Sequence, residues 1–539
     1  MRRGGVSLAL VVIVMLFSAA VRIRLADVPF ERDEGEYAYA GQLVLQGVPP
    51  YDLAYNMKFP GTYYAYAAIL AGFGQSPRGV HLGLLLVNAA TIVFVFLLGR
   101  RLLGEFPGAV SACAFALLSL DRWVMGIFAH ATHFVALPIT AAAWLLVRTG
   151  RSGTPREMLA VGAILGGAVL MKQHAVVYLP FAAGLVAWDS LRRSPAAKRA
   201  ALARVAWLAA GAAVPFGVVL GLFLAQGVLG RFWFWTFQYA SEYVSEIALG
   251  EAPQRFMIAF ARVSQADRAI WITAALGLAT LWIPGWSRES RVVICGLLGA
   301  SLLAVSPGFH FREHYFIVLL PVAGLLVGVA AGAAERAIET VASASVARLI
   351  VGFACLALAG SYLVPERDFL FRWTPREVSR VRYGSNPFVE SPEIAKYIRE
   401  RTTADDRIAV LGSEPQLYFY AGRRSATGYI YMYPLMEPQK FAATMQAEMI
   451  RQIENAHPLY LVTTSIYTSW LGRPDSDGRI LEWTDRYTDA CYDLVGVADI
   501  HSRETSSIVW DEAVRTYRPL SSNLVLTYRR KSEAPCVAK

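Results

Sequence analysis

Charge is scarce in this chain. Asp, Glu, Lys and Arg make up 17% of its 539 residues and hydrophobic residues 55%, where a soluble protein carries about 25% charged residues. The shortage excludes an ordinary soluble globular fold. Apolar runs of about twenty residues recur along the first two thirds, so the chain reads as a polytopic α-helical membrane protein. Internal repeats and low-complexity tracts are also lacking, and transporters often carry two-fold repeats. A lipid-carrier or solute transporter with an exported binding domain is therefore the lesser alternative.

Cysteine is sparse, at five residues. Cys113, Cys295 and Cys355 fall in apolar runs and read as packing residues. Cys491 and Cys536 lie in the polar C-terminal part, where a disulfide is an option.

What charge there is has a pattern. Eleven spans are expected, near 6–25, 79–99, 105–121, 131–148, 158–172, 174–188, 205–225, 268–285, 292–306, 315–333 and 348–364. Arg2/Arg3, Arg100/Arg101, Arg148/Arg151/Arg156, Arg192/Arg193/Lys198/Arg199/Arg204, Arg288/Arg291 and Arg336/Arg348 fall on alternate loops. Positive charge marks the cytoplasmic side, so the N-terminus is expected inside. The net charge of +10 thus reflects topology, and nucleic acid is not an expected partner. Ser18-Ala19-Ala20 resembles a signal-peptidase site, but Arg22 and Arg24 follow too closely for cleavage.

The composition turns polar near residue 365. PEIAKYIRER and KFAATMQAEMIRQIENA have helical spacing, while RIAVLG and PLYLVTTS read as buried strands. Residues 365–539 are therefore expected to form an extracytoplasmic α/β domain, after a transmembrane domain at 1–364 with a large first outer loop, 27–78.

All eight histidines map to the outer side, as do Lys58, Lys172, Arg231 and Arg312, which the orientation rule does not favour there. Ionisable groups at membrane depth usually mark a functional cavity. The first loop opens with PFERDEGEYAYAGQ, where Asp33 and Glu34 stand at or just before a helix N-terminus. Capping and the helix dipole account for one acid, but less well for Glu31, Asp33, Glu34 and Glu36 together. EYAYAGQLVLQG has the spacing of an amphipathic helix suited to the interface plane, and YNMKFPGTYYAYAAILAGFG reads as a second short helix. The aromatic run RFWFWTFQYASEYVSE reads as an interfacial belt, with a stacking platform for sugar rings as the alternative.

DEGEYAYAGQLVLQGVPPY, NMKFPGTYY, LMKQHAVVYLP and FREHYFIVLLP together resemble the GT-C superfamily of integral-membrane glycosyltransferases. The likeness is to the bacterial branch related to protein O-mannosyltransferases and to the lipid A aminoarabinose transferase. It implies an inverting transfer of a sugar, a hexose or pentose, from a polyprenyl-phosphate donor. The acceptor would be a hydroxyl of a glycan, lipid or protein at the outer face of the cytoplasmic membrane. By this resemblance Asp33 is the general base and Glu34 its support. Lys58, Lys172, Arg312, His314 and Tyr315 bind the donor phosphate, and His130, His133, Tyr37 and Tyr63 line the cavity. Where the aminoarabinose transferase has a zinc-ligating glutamate before the matching lysine, this chain has Met57, a poor zinc ligand. The first loop has no DxD pair. No cofactor is firmly implied, and a divalent metal is disfavoured.

Overall fold

The structure, a computed structural model, describes residues 3–149, 153–192, 197–245 and 247–532. A helix forms at each of the eleven apolar stretches. Among the described residues seven helical segments are long and apolar enough to cross a membrane: Gly5–Arg24, Pro77–Leu103, Ala131–Thr149, Gln173–Leu191, Lys198–Ala225, Glu313–Glu339 and Ala344–Leu363. Glu105–Leu118 and Arg268–Thr280 are shorter apolar helices.

We label the first nine helices in chain order: α1 Arg3–Arg24, α2 Arg32–Leu45, α3 Gly61–Phe73, α4 Pro77–Leu103, α5 Glu105–Leu118, α6 Ala131–Thr149, α7 Pro155–Met171, α8 Tyr178–Leu191 and α9 Lys198–Ala225. Their ends follow local chemistry. Ser76 accepts a hydrogen bond from the Gly79 amide ahead of Pro77, which starts α4. Thr154 and Glu157 form a reciprocal capping box at α7.

The C-terminal part builds a six-stranded mixed sheet of β1 Arg407–Leu411, β2 Arg424–Ser425, β3 Tyr460–Thr464, β4 Tyr492–Ile500, β5 Ser506–Trp510 and β6 Leu524–Arg530. The strand order is β2-β1-β3-β6-β4-β5. β1 runs parallel to β2 and β3, and the remaining pairs are antiparallel. The two expected strands are β1 and β3, and the expected helices lie at Ser391–Arg399 and Ala442–Ala456. Cys491 is buried, and its expected partner Cys536 lies outside the described residues.

Two apolar cores hold the molecule together. One lies among the membrane helices, with Val95, Phe115, Ile139 and Leu325 in it. The other spans the first loop, the segment after α9 and the C-terminal sheet, through Tyr37, Tyr66, Phe232, Ile408 and Tyr418. The first loop and the sheet therefore share a core.

That shared core corrects one expectation. α2 is not a half-exposed amphipathic helix; Glu34 to Leu43 are buried without a break. Tyr37 packs edge-on against Tyr66, and Tyr39 stacks on Tyr418 of the C-terminal part. Gly35 permits the approach, since a Cβ there would lie 2.7 Å from the Gln416 backbone nitrogen. The spacing that suggested an amphipathic surface helix is satisfied instead by protein on both sides.

The aromatic run after α9 divides in the same way. Trp235 stacks on Tyr55, and Phe232 packs edge-on against Tyr51. Trp233 and Phe237 face outward.

Candidate active site

Asp33 sits in the first turn of α2, and the cap that places it is local. Glu31 accepts from the Glu34 amide at 2.9 Å, and the Glu34 carboxylate reaches back to the Glu31 amide at 3.4 Å. Glu31 and Glu34 are thus the capping box, which leaves the Asp33 side chain free to point elsewhere.

It points at a lysine and a tyrosine. Lys58 Nζ donates to Asp33 Oδ1 at 2.8 Å and to Glu36 Oε2 at 2.5 Å. Tyr431, from the C-terminal part, donates to the same Asp33 Oδ1 at 3.0 Å. The Lys58 ammonium also lies 4.5 Å from the centroid of Tyr37 and 5.4 Å from that of Tyr431. Tyr63 donates to Glu36 Oε1 at 2.7 Å. Oδ2 of Asp33 faces His130 Nδ1 at 3.8 Å and His314 Nε2 at 4.0 Å, beyond hydrogen-bond length. The Asp33 side chain retains 24% exposure, so it remains approachable.

Chain stitching brings the second lysine to the same place. Gln173 donates to the Met57 carbonyl at 2.6 Å, and Thr62 donates to the Met171 carbonyl at 2.9 Å. Gly61 abuts the Leu170 carbonyl so closely that a Cβ would lie 2.6 Å from it. The start of α3 and the end of α7 are therefore sewn together, with Lys58 and Lys172 beside the seam. Lys172 Nζ lies 3.7 Å from the Tyr315 ring centroid. Tyr315 meets His314 edge-on at 4.9 Å, and His314 stacks on His130 at 4.2 Å. Arg312 lies within the field of Tyr243, Tyr315 and Tyr433.

The electrostatics follow from burial and pairing. Burial works against the ionised form of Asp33, but the Lys58 ammonium outweighs it and holds the carboxyl well below the usual range. Burial likewise opposes the charge on Lys58, yet Asp33 and Glu36 hold it well above the ordinary lysine value. Burial lowers Lys172 to about 7, against the opposing pull of Asp33. Burial also lowers His130 to about 4, so its imidazole is neutral at pH 7. The result is an ionised carboxylate held by one cation, beside a second cation whose charge is easily lost.

The residues singled out in the sequence do not all meet there. Asp33, Lys58, Tyr37, His130, His314, Tyr315 and Lys172 converge, and Tyr63 joins through Glu36. Glu34, fully buried, turns away from Asp33 to accept from the Ala129 amide at 2.6 Å and to face His81 Nε2 at 2.9 Å. His133 lies beside Arg22 and the Gly126 backbone. Sequence reading took Glu36 as structural, yet its bond to Lys58 makes it part of the cluster. Sequence reading also missed Tyr431, which sits 398 residues from Asp33 with no local signal to pair them.

Asp33, His130 and His314 offer three ligand atoms within 4.8 Å of one another. Neither His130 ring nitrogen has a hydrogen-bond partner among the described residues. Two features disfavour the metal. Tetrahedral zinc with bonds near 2.1 Å wants its ligands about 3.4 Å apart, and the Asp33 contacts to both imidazoles are longer. Lys58 already neutralises that carboxylate.

A bundle of apolar helices whose long first loop packs against a C-terminal sheet is a fold that this chain shares with solved membrane proteins. Among solved structures, it is similar to ArnT from Cupriavidus metallidurans bound to undecaprenyl phosphate, with a TM-score of 0.59 and 16% identity over 97% of each chain. The apo state of that protein gives 0.59 and 16%, over 95% of this chain and 100% of the other. The archaeal oligosaccharyltransferase AglB from Archaeoglobus fulgidus, in complex with an inhibitory peptide and a dolichol-phosphate, gives 0.54 and 12%, over 96% of this chain and 75% of that one. In sequence, the dolichyl-phosphate-mannose-protein mannosyltransferase family matches residues 57–223, which hold both lysines. No curated protein matches the chain.

Proposed function

We propose that this protein is an inverting glycosyltransferase that moves a sugar from a polyprenyl-phosphate donor to an acceptor hydroxyl at the outer face of the cytoplasmic membrane. The observation that carries the reading is the Asp33–Lys58 contact of 2.8 Å beside Lys172, on a GT-C fold. In this topology all eleven apolar helices cross or enter the membrane, the N-terminus is cytoplasmic, and the first loop and residues 365–539 face outward. Residues 1–364 form the catalytic membrane domain.

The chemistry is an in-line displacement at the anomeric carbon. The acceptor oxygen forms the new bond to C1 and passes its proton to Asp33 Oδ2, the oxygen that lacks a hydrogen bond to Lys58 or Tyr431. The C1–O bond to phosphate breaks, and its electron pair leaves with the polyprenyl phosphate. Lys58, Lys172 and Arg312 take up that negative charge, with Tyr315 and His314 beside them. The same fold favours undecaprenyl or dolichyl carriers as donors, and the acceptor is a glycan, lipid or protein of the cell envelope.

Mass spectrometry of lipids co-purifying with the wild type and with Lys58→Ala tests the reading. A glycosylated polyprenyl phosphate is expected with the wild type and is expected to be depleted in the variant. An Asp33→Asn variant that inserts normally and transfers at the wild-type rate sinks the base assignment.

A further inference from the structure

His81 and Glu34 stand outside the reacting cluster, yet they touch the segment that supplies His130. His81 is in the first turns of α4 and is buried. Its Nδ1 lies 2.7 Å from the Ala26 carbonyl, and a carbonyl only accepts, so Nδ1 carries a proton. Its Nε2 lies 2.9 Å from Glu34 Oε1, the oxygen that also accepts from the Ala129 amide. With Nδ1 protonated, Nε2 of a neutral ring carries a lone pair, which cannot face an ionised carboxylate oxygen without a proton between them. The bond needs a second proton, held between Nε2 and the Glu34 carboxyl.

Ala129 is held at both of its backbone polar groups, one in each of the two peptides it joins. Glu34 holds its N–H at 2.6 Å, and Tyr66 donates to its carbonyl at 2.7 Å. His130 is the next residue, and its Nδ1 is one of the two imidazole nitrogens facing Asp33 Oδ2. Glu34 thus links α2, which carries Asp33, to the loop before α6, which carries His130.

We propose that His81 and Glu34 are a positioning pair: His81 orients Glu34, and Glu34 fixes the backbone of Ala129, and through it His130, against Asp33. The inference rests on the reading of Asp33 as base. It departs from that reading in giving Glu34 no contact with Asp33 or the acceptor.

Two isosteric substitutions of His81 separate the positioning role from a structural one. An asparagine amide nitrogen overlays Nδ1 and keeps the bond to Ala26, whereas a glutamine amide nitrogen overlays Nε2 and keeps the bond to Glu34. With sugar transfer assayed on purified full-length protein, His81→Asn is expected to lower kcat by up to about 100-fold with donor KM unchanged, the scale of a roughly 1 Å misplacement. His81→Gln is expected to restore most of that rate. Tyr66→Phe, which frees the Ala129 carbonyl, should lower kcat in the same sense. The proposal is overturned if His81→Gln falls as far as His81→Asn, if His81→Asn keeps the wild-type rate, or if the losses track thermal unfolding temperature. An Asp33→Asn variant assayed alongside keeps the two readings apart. Full activity there removes the base assignment, whereas an inactive Asp33→Asn with a fully active His81→Asn removes only the positioning pair.

Discussion

Lys58 Nζ bridges Asp33 Oδ1 at 2.8 Å and Glu36 Oε2 at 2.5 Å, so in this structure the cation proposed for the donor phosphate is paired with the proposed base. The pairing has a consequence for the proposed reaction. While Lys58 stays, Asp33 is ionised but a weak base, because the ammonium stabilises its charged form. A phosphate that draws Lys58 away leaves Glu36 and Asp33 with less positive charge nearby, and Asp33 becomes more basic as the donor arrives.

The first prediction concerns that lysine. On the proposed reading Lys58→Ala removes a charge-assisted contact to phosphate worth about 1.5–3 kcal/mol, so donor affinity is expected to fall by roughly 10- to 100-fold. Lys58→Arg should not restore it, because a planar guanidinium does not reproduce a point charge between two carboxylates. Donor binding measured on purified variants checks both.

The second concerns Tyr431. Tyr431→Phe removes one hydrogen bond to Asp33 while keeping the ring that packs beside Lys58. The expected result is a fall in kcat of about tenfold, on the scale of a hydrogen bond to a charged group, with donor KM little changed. Steady-state kinetics against wild type decide it. A null result would confine the chemistry to the membrane part.

The legibility of this site was uneven for physical reasons. Membrane helices announce themselves in composition, and β1 and β3 in their apolar runs, because each signal is contained in a short window. The Asp33–Glu34 pair was visible as an excess of acid over what a cap requires. Its split was not, since the capping box and the His81 contact depend on which way two adjacent side chains turn. Tyr431 was hidden altogether: one tyrosine among 25 carries no mark of a partner in the first loop. α2 misled because burial between two protein surfaces and burial against lipid ask for the same apolar spacing.

The third prediction concerns the contact that places α2. Gly35→Ala would push a methyl group into the Gln416 backbone, where a Cβ would sit 2.7 Å from nitrogen. Backbone cannot rotate aside as a side chain can, so the cost is expected at about 1–3 kcal/mol. The variant should lower the thermal unfolding temperature and loosen the C-terminal part, measurable as faster proteolysis there.

The fourth follows from His130. Its imidazole is buried, and burial lowers its proton affinity to about 4 from the ordinary 6.5. Between those values the unfolded chain binds a proton that the folded chain refuses, so the native state loses stability as pH falls from 6.5 towards 4. Above pH 6.5 neither state is protonated and the term vanishes. At pH 5 the loss is about 2 kcal/mol, from 1.36 kcal/mol per pH unit. His130→Gln cannot titrate. Thermal unfolding in detergent should therefore show the stability gap between variant and wild type shifting in favour of the variant as pH drops from 7 to 5. A gap constant across that range would mean that His130 is solvated enough to take up its proton in the folded protein.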